Sequence, residues 1–241
     1  MTQPEFQRAV VVIPAHNEAT RLRRCLRAVQ SAAAAVPVPV QAVVVLDACT
    51  DASADVAGRF GPAVHVRSID ARNVGAARAA GFEHARTLWP DADAARIWYA
   101  TTDADSCVDS DWFVRQMAAG ADMVLGVVRV ANWRQVPASV SRRYLHRYRS
   151  NPESDGVGHD HIHGANMGFA GEAYWETGGF AALPSGEDVD LVSRFKRHGY
   201  RVRHDSDLSV VTSARRDGRA PNGFAAHLRS MLHRINAEEP A

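Results

Sequence analysis

Two carboxylates two residues apart, Asp103 and Asp105, follow the apolar run Ile97-Trp98-Tyr99-Ala100 in a sequence of 241 residues. The run reads as a buried strand, and on a strand residues two apart point to the same side. If the extended geometry persists beyond Ala100, both carboxylates face one site. In open α/β sheets, ligands bind at the carboxyl ends of the strands. Hard carboxylate oxygens suit Mg²⁺ or Mn²⁺, and Mg²⁺ takes one or two of them together with substrate phosphates. This pair therefore points to a metal–diphosphate site. The alternative is structural: Asp103 turns the chain, and Asp105, Ser106 or Asp109 caps the next helix.

Three further stretches could carry chemistry. Ser185-Gly186-Glu187-Asp188 stands at the start of a predicted helix. It fits a capping box, with Ser185 as N-cap and Asp188 three residues on. His159, His161 and His163 alternate in a loop rich in Gly and Asp. Zinc is disfavoured there, because structural zinc sites use thiolates or helix-spaced histidines. Arg215, Arg216 and Arg219 lie around Asp217 and Gly218. Their planar forks suit phosphate, and Gly218 permits a loop that closes over a leaving diphosphate; a solvated basic tail is the alternative.

These residues need a scaffold, and the apolar pattern supplies one. Residues 9–13 and 40–46 are continuous β-branched runs of the kind found in parallel sheets covered on both faces. Pro14 is expected to stop the first, and Asn17 to cap a helix carrying Leu22, Cys25, Leu26 and Val29 at helical spacing. A short helix, capped by Asp51 or Ser53, runs to about Phe60, and a short strand spans residues 63–66. An alanine-rich helix covers residues 74–88, before the strand that leads into Asp103. The order β-α-β-α-β-α-β argues for a mostly parallel sheet with crossover helices, an α/β fold. The second half reads less regularly. Helices are expected over 111–119, 140–149, 172–176 and 187–198, with strands over 123–130 and 165–169. Val202 and residues 208–211 read as closing strands, and the tail from Ala214 as basic and then helical.

Composition narrows the class. A net charge of +1 gives a nucleic-acid partner no bulk electrostatic support. Cys25, Cys49 and Cys107 are odd in number and widely spaced, which suggests reduced thiols. The first eight residues are polar, and no apolar run is long enough to span a bilayer. A cytoplasmic protein is expected, with peripheral contact at the inner membrane face left open. Nothing reads as a linker, so residues 1–241 are expected to form one domain.

The motifs then line up in order. Val11-Val12-Ile13-Pro14-Ala15-His16-Asn17-Glu18 resembles the first strand and loop of family 2 glycosyltransferases, which have the GT-A fold. Leu46-Asp47-Ala48-Cys49-Thr50-Asp51 is similar to that family's Asp-Asp-Gly-Ser-Thr-Asp turn. Gly75 to Gly81 is similar to its Ala-Arg-Asn-x-Gly segment. Asp103-Ala104-Asp105 matches Asp-x-Asp. Gly178-Gly179-Phe180 and Glu187-Asp188 match its Gly-Gly-Phe and Glu-Asp segments.

The resemblance implies a Rossmann-like half, 1–106, that binds a nucleotide-diphospho-sugar. The other half, 107–241, binds a hydroxyl acceptor. The nucleotide sugar would meet Pro14, Ala15, His16, Asn17, Glu18, Asp47, Arg78, Asp103, Ala104 and Asp105. Asp47 would accept from the base of a uridine nucleotide, Arg78 would lie near the nucleotide or diphosphate, and Asp105 with Asp103 would hold Mg²⁺ or Mn²⁺. Asp188 would be the catalytic base of an inverting transfer. His163 and Asn166 are the implied acceptor or diphosphate contacts, with Glu187, Arg215, Arg216 and Arg219 as further candidates. Some features depart from the family: Leu46, Ala48, Cys49 and Ala79 replace the usual Asp, Gly, Ser and Asn. Thr212-Ser213 stands where many GT-A enzymes carry a metal-binding histidine, leaving that place to water or to a histidine such as His204. Two rival readings are a sugar-phosphate nucleotidyltransferase and a non-catalytic nucleotide-sugar binding protein. The first expects a glycine-rich loop that Pro14–Glu18 lacks, and the second leaves Asp103, Asp105 and Asp188 unexplained.

Overall fold

The β-branched run at residues 9–13 offers no polar face, so both of its sides must be covered. In the computed structural model, which describes residues 6–130 and 161–212, this run forms the centre of β1 (Arg8–Ala15). Ala9, Val11 and Ile13 enter one core with Leu22, Leu26 and Val29 of α1 (Ala19–Ala33) and Trp112 and Phe113 of α4 (Trp112–Met117). Val10 and Val12 enter a second core on the opposite face. It includes Phe82 of α3 (Val74–Leu88), Tyr174 of α5 (Gly171–Glu176) and Phe195 of α6 (Glu187–Arg197).

One eight-stranded sheet runs through the described residues, in the order β3-β2-β1-β4-β7-β6-β8-β5. β2 (Val40–Asp47), β3 (Val64–Ile69) and β4 (Ile97–Thr101) join β1 in parallel, with α1, α2 (Ser53–Gly58) and α3 as the crossovers. The expected parallel first half is therefore present. Beyond β4 the sheet becomes mixed: β7 (Met167–Ala170) runs antiparallel to both β4 and β6 (Met123–Val130).

Two local expectations change, and one short strand is added. Pro14 does not end β1, which pairs with β2 through Ala15. Val12 bonds towards β4, since Thr102 N donates to Val12 O, and Pro14 shares that side two residues on. Pairing with β4 ends at Val12–Thr101, so the missing N–H of Pro14 falls where no partner strand remains. The two closing strands are one, β8 (Val202–Thr212), parallel to β6 and broken by a bulge. A two-residue strand, β5 (Cys107–Val108), pairs antiparallel with Val211 and Val210 of β8 and ties the chain after Asp105 to the end of that strand. The helices expected at 140–149 and in the tail lie outside the described residues.

Candidate active site

β4 ends at Thr101, and Ser106 N donates to Asp103 O at 2.9 Å, closing a four-residue turn. The extended geometry therefore does not reach the carboxylates, and they diverge. Asp103 Oδ1 accepts from Arg78 Nη2 at 2.8 Å. Asp105 Oδ1 faces Thr212 Oγ1, at the end of β8, at 3.4 Å. The capping alternative also fails: α4 begins after Asp111 with no side-chain cap, and Asp109 accepts from Ser209 Oγ instead. Asp103 Oδ2 takes no hydrogen bond among the described residues, and its side chain is 40% exposed.

Arg78 sits on the inner face of α3 at 3% exposure. A buried guanidinium needs partners for its charge and its donors. It has them on three sides: Nε donates to Thr101 Oγ1 at 3.2 Å, Nη2 to Asp103, and Nη1 to Glu187. Its Cζ lies 5.7 Å from the Phe180 ring centre. Gly164 packs against the guanidinium itself; a Cβ there would come within 2.6 Å of Nη2.

Glu187 opens α6 and is buried. Its carboxyl is held above the ordinary carboxylate value because burial, with Asp188 adding, outweighs the opposing charge of Arg78. The capping box predicted here does not form. Gly186, at φ 75°, is the N-cap and has no side chain with which to cap the helix. Asp188 is therefore the second residue of α6 and not a capping partner of Ser185. Its Oδ2 accepts from Gly164 N at 2.8 Å and its Oδ1 from Val189 N at 2.9 Å. Each oxygen keeps a further lone pair.

The loops after β1 and β2 clamp each other. Asn17, in the left-handed region at φ 54°, turns away from α1, and its Oδ1 accepts from Thr50 N and Asp51 N. Asp51 and Ser53 reach back, taking the N–H groups of Ala19 and Glu18 at 2.9 and 3.0 Å. The cap of α1 is thus supplied from the neighbouring loop, not by Asn17. His16 Nδ1 lies 2.6 Å from Asp47 O. Ala48 and Arg72 also have positive φ, and the three such non-glycine residues among the described residues lie in these loops or the one after β3. Asp47 is 4% exposed, and its carboxylate accepts from Ala71 N and Arg72 N through Oδ1 and from Asn73 N through Oδ2.

Residues 10–178 match the model of the family described as Glycosyl transferase family 2. The chain belongs to glycosyl transferase family 2. No curated protein matches it in sequence. Among solved structures it is similar to S. aureus TarS 1–349 in complex with UDP-GlcNAc, at 14% identity and a TM-score of 0.61. That match covers 96% of this chain and 66% of the TarS chain, just under two thirds. It is also similar to the mannosyltransferase PcManGT from Pyrobaculum calidifontis in complex with GDP-Man and Mn²⁺. There the identity is 18%, the TM-score 0.62, and the coverage 97% of this chain and 76% of that one. At these identities the likeness is one of fold, and the fold is GT-A.

Three residues singled out with the family 2 resemblance make their contacts within the chain. Asp47 is committed to the backbone ahead of α3, with one lone-pair position left on Oδ2. Asn166 is 0% exposed and satisfied internally: Nδ2 donates to Val127 O and Leu208 O, and Oδ1 accepts from Trp112 Nε1. It closes the β6–β8 bulge and has no face for an acceptor. Glu187 is turned inward onto Arg78. His204 lies eight residues before Thr212 on β8, beside Leu125, and so stands at the far end of the strand from Asp105. His163 is half-buried, and its ring stacks on that of His161 at 5.9 Å. His159, Arg215, Arg216 and Arg219 lie outside the described residues. Sequence reasoning gave no role to Thr101 or Gly164, and it met Thr212 only as the residue in place of a metal-binding histidine.

The carboxylates at the turn carry the hard oxygens that suit a divalent cation, but each is directed to a different partner. The open Oδ2 of Asp103 and the part-exposed Asp105 supply oxygen, and no group of three or more metal-ligating side chains occurs among the described residues.

Proposed function

We propose that this chain transfers a sugar from a nucleotide-diphosphate donor to an acceptor hydroxyl, with inversion at the anomeric carbon. The supporting observation is the network that brings two kinds of carboxylate together at the C-terminal ends of the parallel strands. Asp103, after β4, and Glu187, next to Asp188, share one buried guanidinium. The donor diphosphate lies against the Asp103–Asp105 turn, and the acceptor approaches Asp188. Asp103 and Asp105 would hold Mg²⁺ or Mn²⁺, which would neutralise charge on the departing diphosphate. The acceptor oxygen attacks the anomeric carbon, the bond from that carbon to the diphosphate oxygen breaks, and Asp188 takes the hydroxyl proton. Backbone N–H groups hold both Asp188 oxygens, which fixes the direction of that transfer.

Three backbone N–H groups leave Asp47 one lone-pair position for the N–H of a uracil, so the nucleotide is decided by assay. The donor test therefore uses UDP-glucose, UDP-GlcNAc and GDP-mannose, each with Mn²⁺, and follows release of the nucleoside diphosphate. The expected result is turnover of at least one donor, with water as acceptor where no other is supplied. Asp188→Asn is nearly isosteric and keeps an oxygen for Gly164 N. It should melt near the wild-type temperature, bind the nucleotide within about threefold, and lose turnover by at least about 10²-fold. No turnover of any donor, with exchange of pyrophosphate into a nucleotide sugar instead, would favour the nucleotidyltransferase reading. Binding without either reaction would leave a nucleotide-sugar binding protein. A variant that melts far lower yet keeps its turnover per folded molecule would make Asp188 structural.

A further inference from the structure

The family resemblance puts Arg78 beside the nucleotide or diphosphate. Its surroundings describe another job. At 3% exposure the guanidinium head is enclosed, and each of its three nitrogens already has an acceptor in this chain: Thr101, Asp103 and Glu187. These acceptors come from the end of β4, from the turn after it, and from the first residue of α6. A fourth element joins through packing. Gly164 rests on the guanidinium so closely that a Cβ would lie 2.6–2.8 Å from its atoms, and the N–H of Gly164 holds Asp188 Oδ2 at 2.8 Å. The path from one reacting end to the other is therefore short and rigid: Asp103, Arg78, then either Glu187 and its neighbour Asp188, or Gly164 and Asp188.

Two consequences follow from this geometry. Arg78 occupies Oδ1 of Asp103, so only Oδ2 is presented outward. Glu187 and Gly164 set where the first turn of α6 sits, so the outward lone pairs of Asp188 have a fixed position relative to Asp103. We propose that Arg78 is a positioning residue, not a ligand of the diphosphate: it sets the separation between the donor-side carboxylate Asp103 and the base Asp188. This rests on the transferase reading above.

A positioning role and a ligand role affect different kinetic constants. Losing a diphosphate ligand raises the donor Kd. Losing alignment leaves the donor Kd in place and lowers kcat, since a displacement of about 1 Å between reacting groups can cost on the order of 10²-fold. Lysine keeps the charge of Arg78 but has no fork, so it cannot hold Thr101, Asp103 and Glu187 together.

The test compares wild type, Arg78→Lys, Glu187→Gln and Gly164→Ala, using the donor that the wild type turns over in the panel above. Kd comes from calorimetry with the matching nucleoside diphosphate and Mn²⁺, kcat from diphosphate release, and the melting temperature from the same preparations. Arg78→Lys should hold the nucleotide within about threefold of wild type and lose about 10–100-fold in kcat. Glu187→Gln and Gly164→Ala, which leave Arg78 in place, should show the same split. Glu187→Gln weakens one arm and Gly164→Ala displaces the guanidinium from the loop that holds Asp188. If Arg78→Lys does not fold, these two variants carry the test alone. A loss of more than tenfold in nucleotide affinity at unchanged kcat would make Arg78 a diphosphate ligand and overturn the proposal. So would wild-type kcat in Glu187→Gln and Gly164→Ala with only a lowered melting temperature, which is the mark of a purely structural network. A wild-type protein that turns over no donor would instead refute the transferase reading, and the positioning role with it, before any variant is compared.

Discussion

Asp47 shows one residue answering two descriptions. By motif it is a base-recognition aspartate; by contact it is a loop clamp that takes three backbone N–H groups ahead of α3. The contacts decide, because a carboxylate at 4% exposure with both oxygens occupied has little left to offer a ligand. Removing the side chain would strand those donors, and an unsatisfied partly buried donor costs about 1–3 kcal/mol. Asp47→Ala should therefore lower stability to chemical denaturation by roughly 2–4 kcal/mol and leave the ratio of UDP to GDP affinity unchanged. An unaltered denaturation midpoint with a lost preference between the two nucleotides would return Asp47 to base recognition. Asn166 makes the same point. Its amide was legible as a polar group in a site segment, but its three internal bonds are formed only when β6, β8 and α4 meet.

The element that departs most from its sequence reading is β8. The stretch Asp205-Ser206-Asp207 interrupts the apolar pattern and reads as a break between two strands. In the fold, pairing with β6 resumes at Ser209, and Asp205 takes up the slack. It accepts from Asp207 N and Leu208 N and pairs with both oxygens to Arg115 of α4, at 3.0 and 3.1 Å. Burial alone would raise its carboxyl; the hydrogen bonds from Arg115 and the two N–H groups outweigh it and hold the value below the ordinary one. A lowered native value adds stability that is complete above the unfolded value of about 3.9 and is lost as pH falls through the native value. Asp205→Asn should therefore be less stable than wild type by about 1–2 kcal/mol at pH 7. The gap should narrow only below about pH 4, as urea midpoints measured between pH 7 and pH 3 would record. A gap that stays constant to pH 3 would show that the ionised form of Asp205 adds nothing.

At the scale of the molecule, the open side of the Asp103–Asp105 turn predicts coupled binding. A nucleoside diphosphate and Mn²⁺ that share one site each raise the other's affinity, and ligands of the native state raise the melting temperature. UDP with Mn²⁺ should shift the melting temperature by more than the sum of the two separate shifts. Chelation or Asp105→Ala should remove that excess. Additive shifts would take the cation out of the donor site. No helix among the described residues is long and apolar enough to cross a membrane.

The sequence by itself determined the parallel first half, the position of Asp103 and Asp105 just past β4, the start of α6 at Glu187, and the family. These follow from local information: a period of two or 3.6 residues, a run of β-branched side chains, and motif order. It did not determine what each charged group touches. Arg78 lies in an alanine-rich helix that would suit either a solvated or a buried arginine, and its partners Asp103 and Glu187 are 25 and 109 residues away. Asp47 meets its N–H donors only when the loop after β3 folds back over β2, and Asp105 meets Thr212 only when β8 returns beside β5. Long-range pairing decides whether a carboxylate is spent on the fold or left open to a ligand, because each lone pair goes to whichever donor the assembled chain brings within about 3 Å.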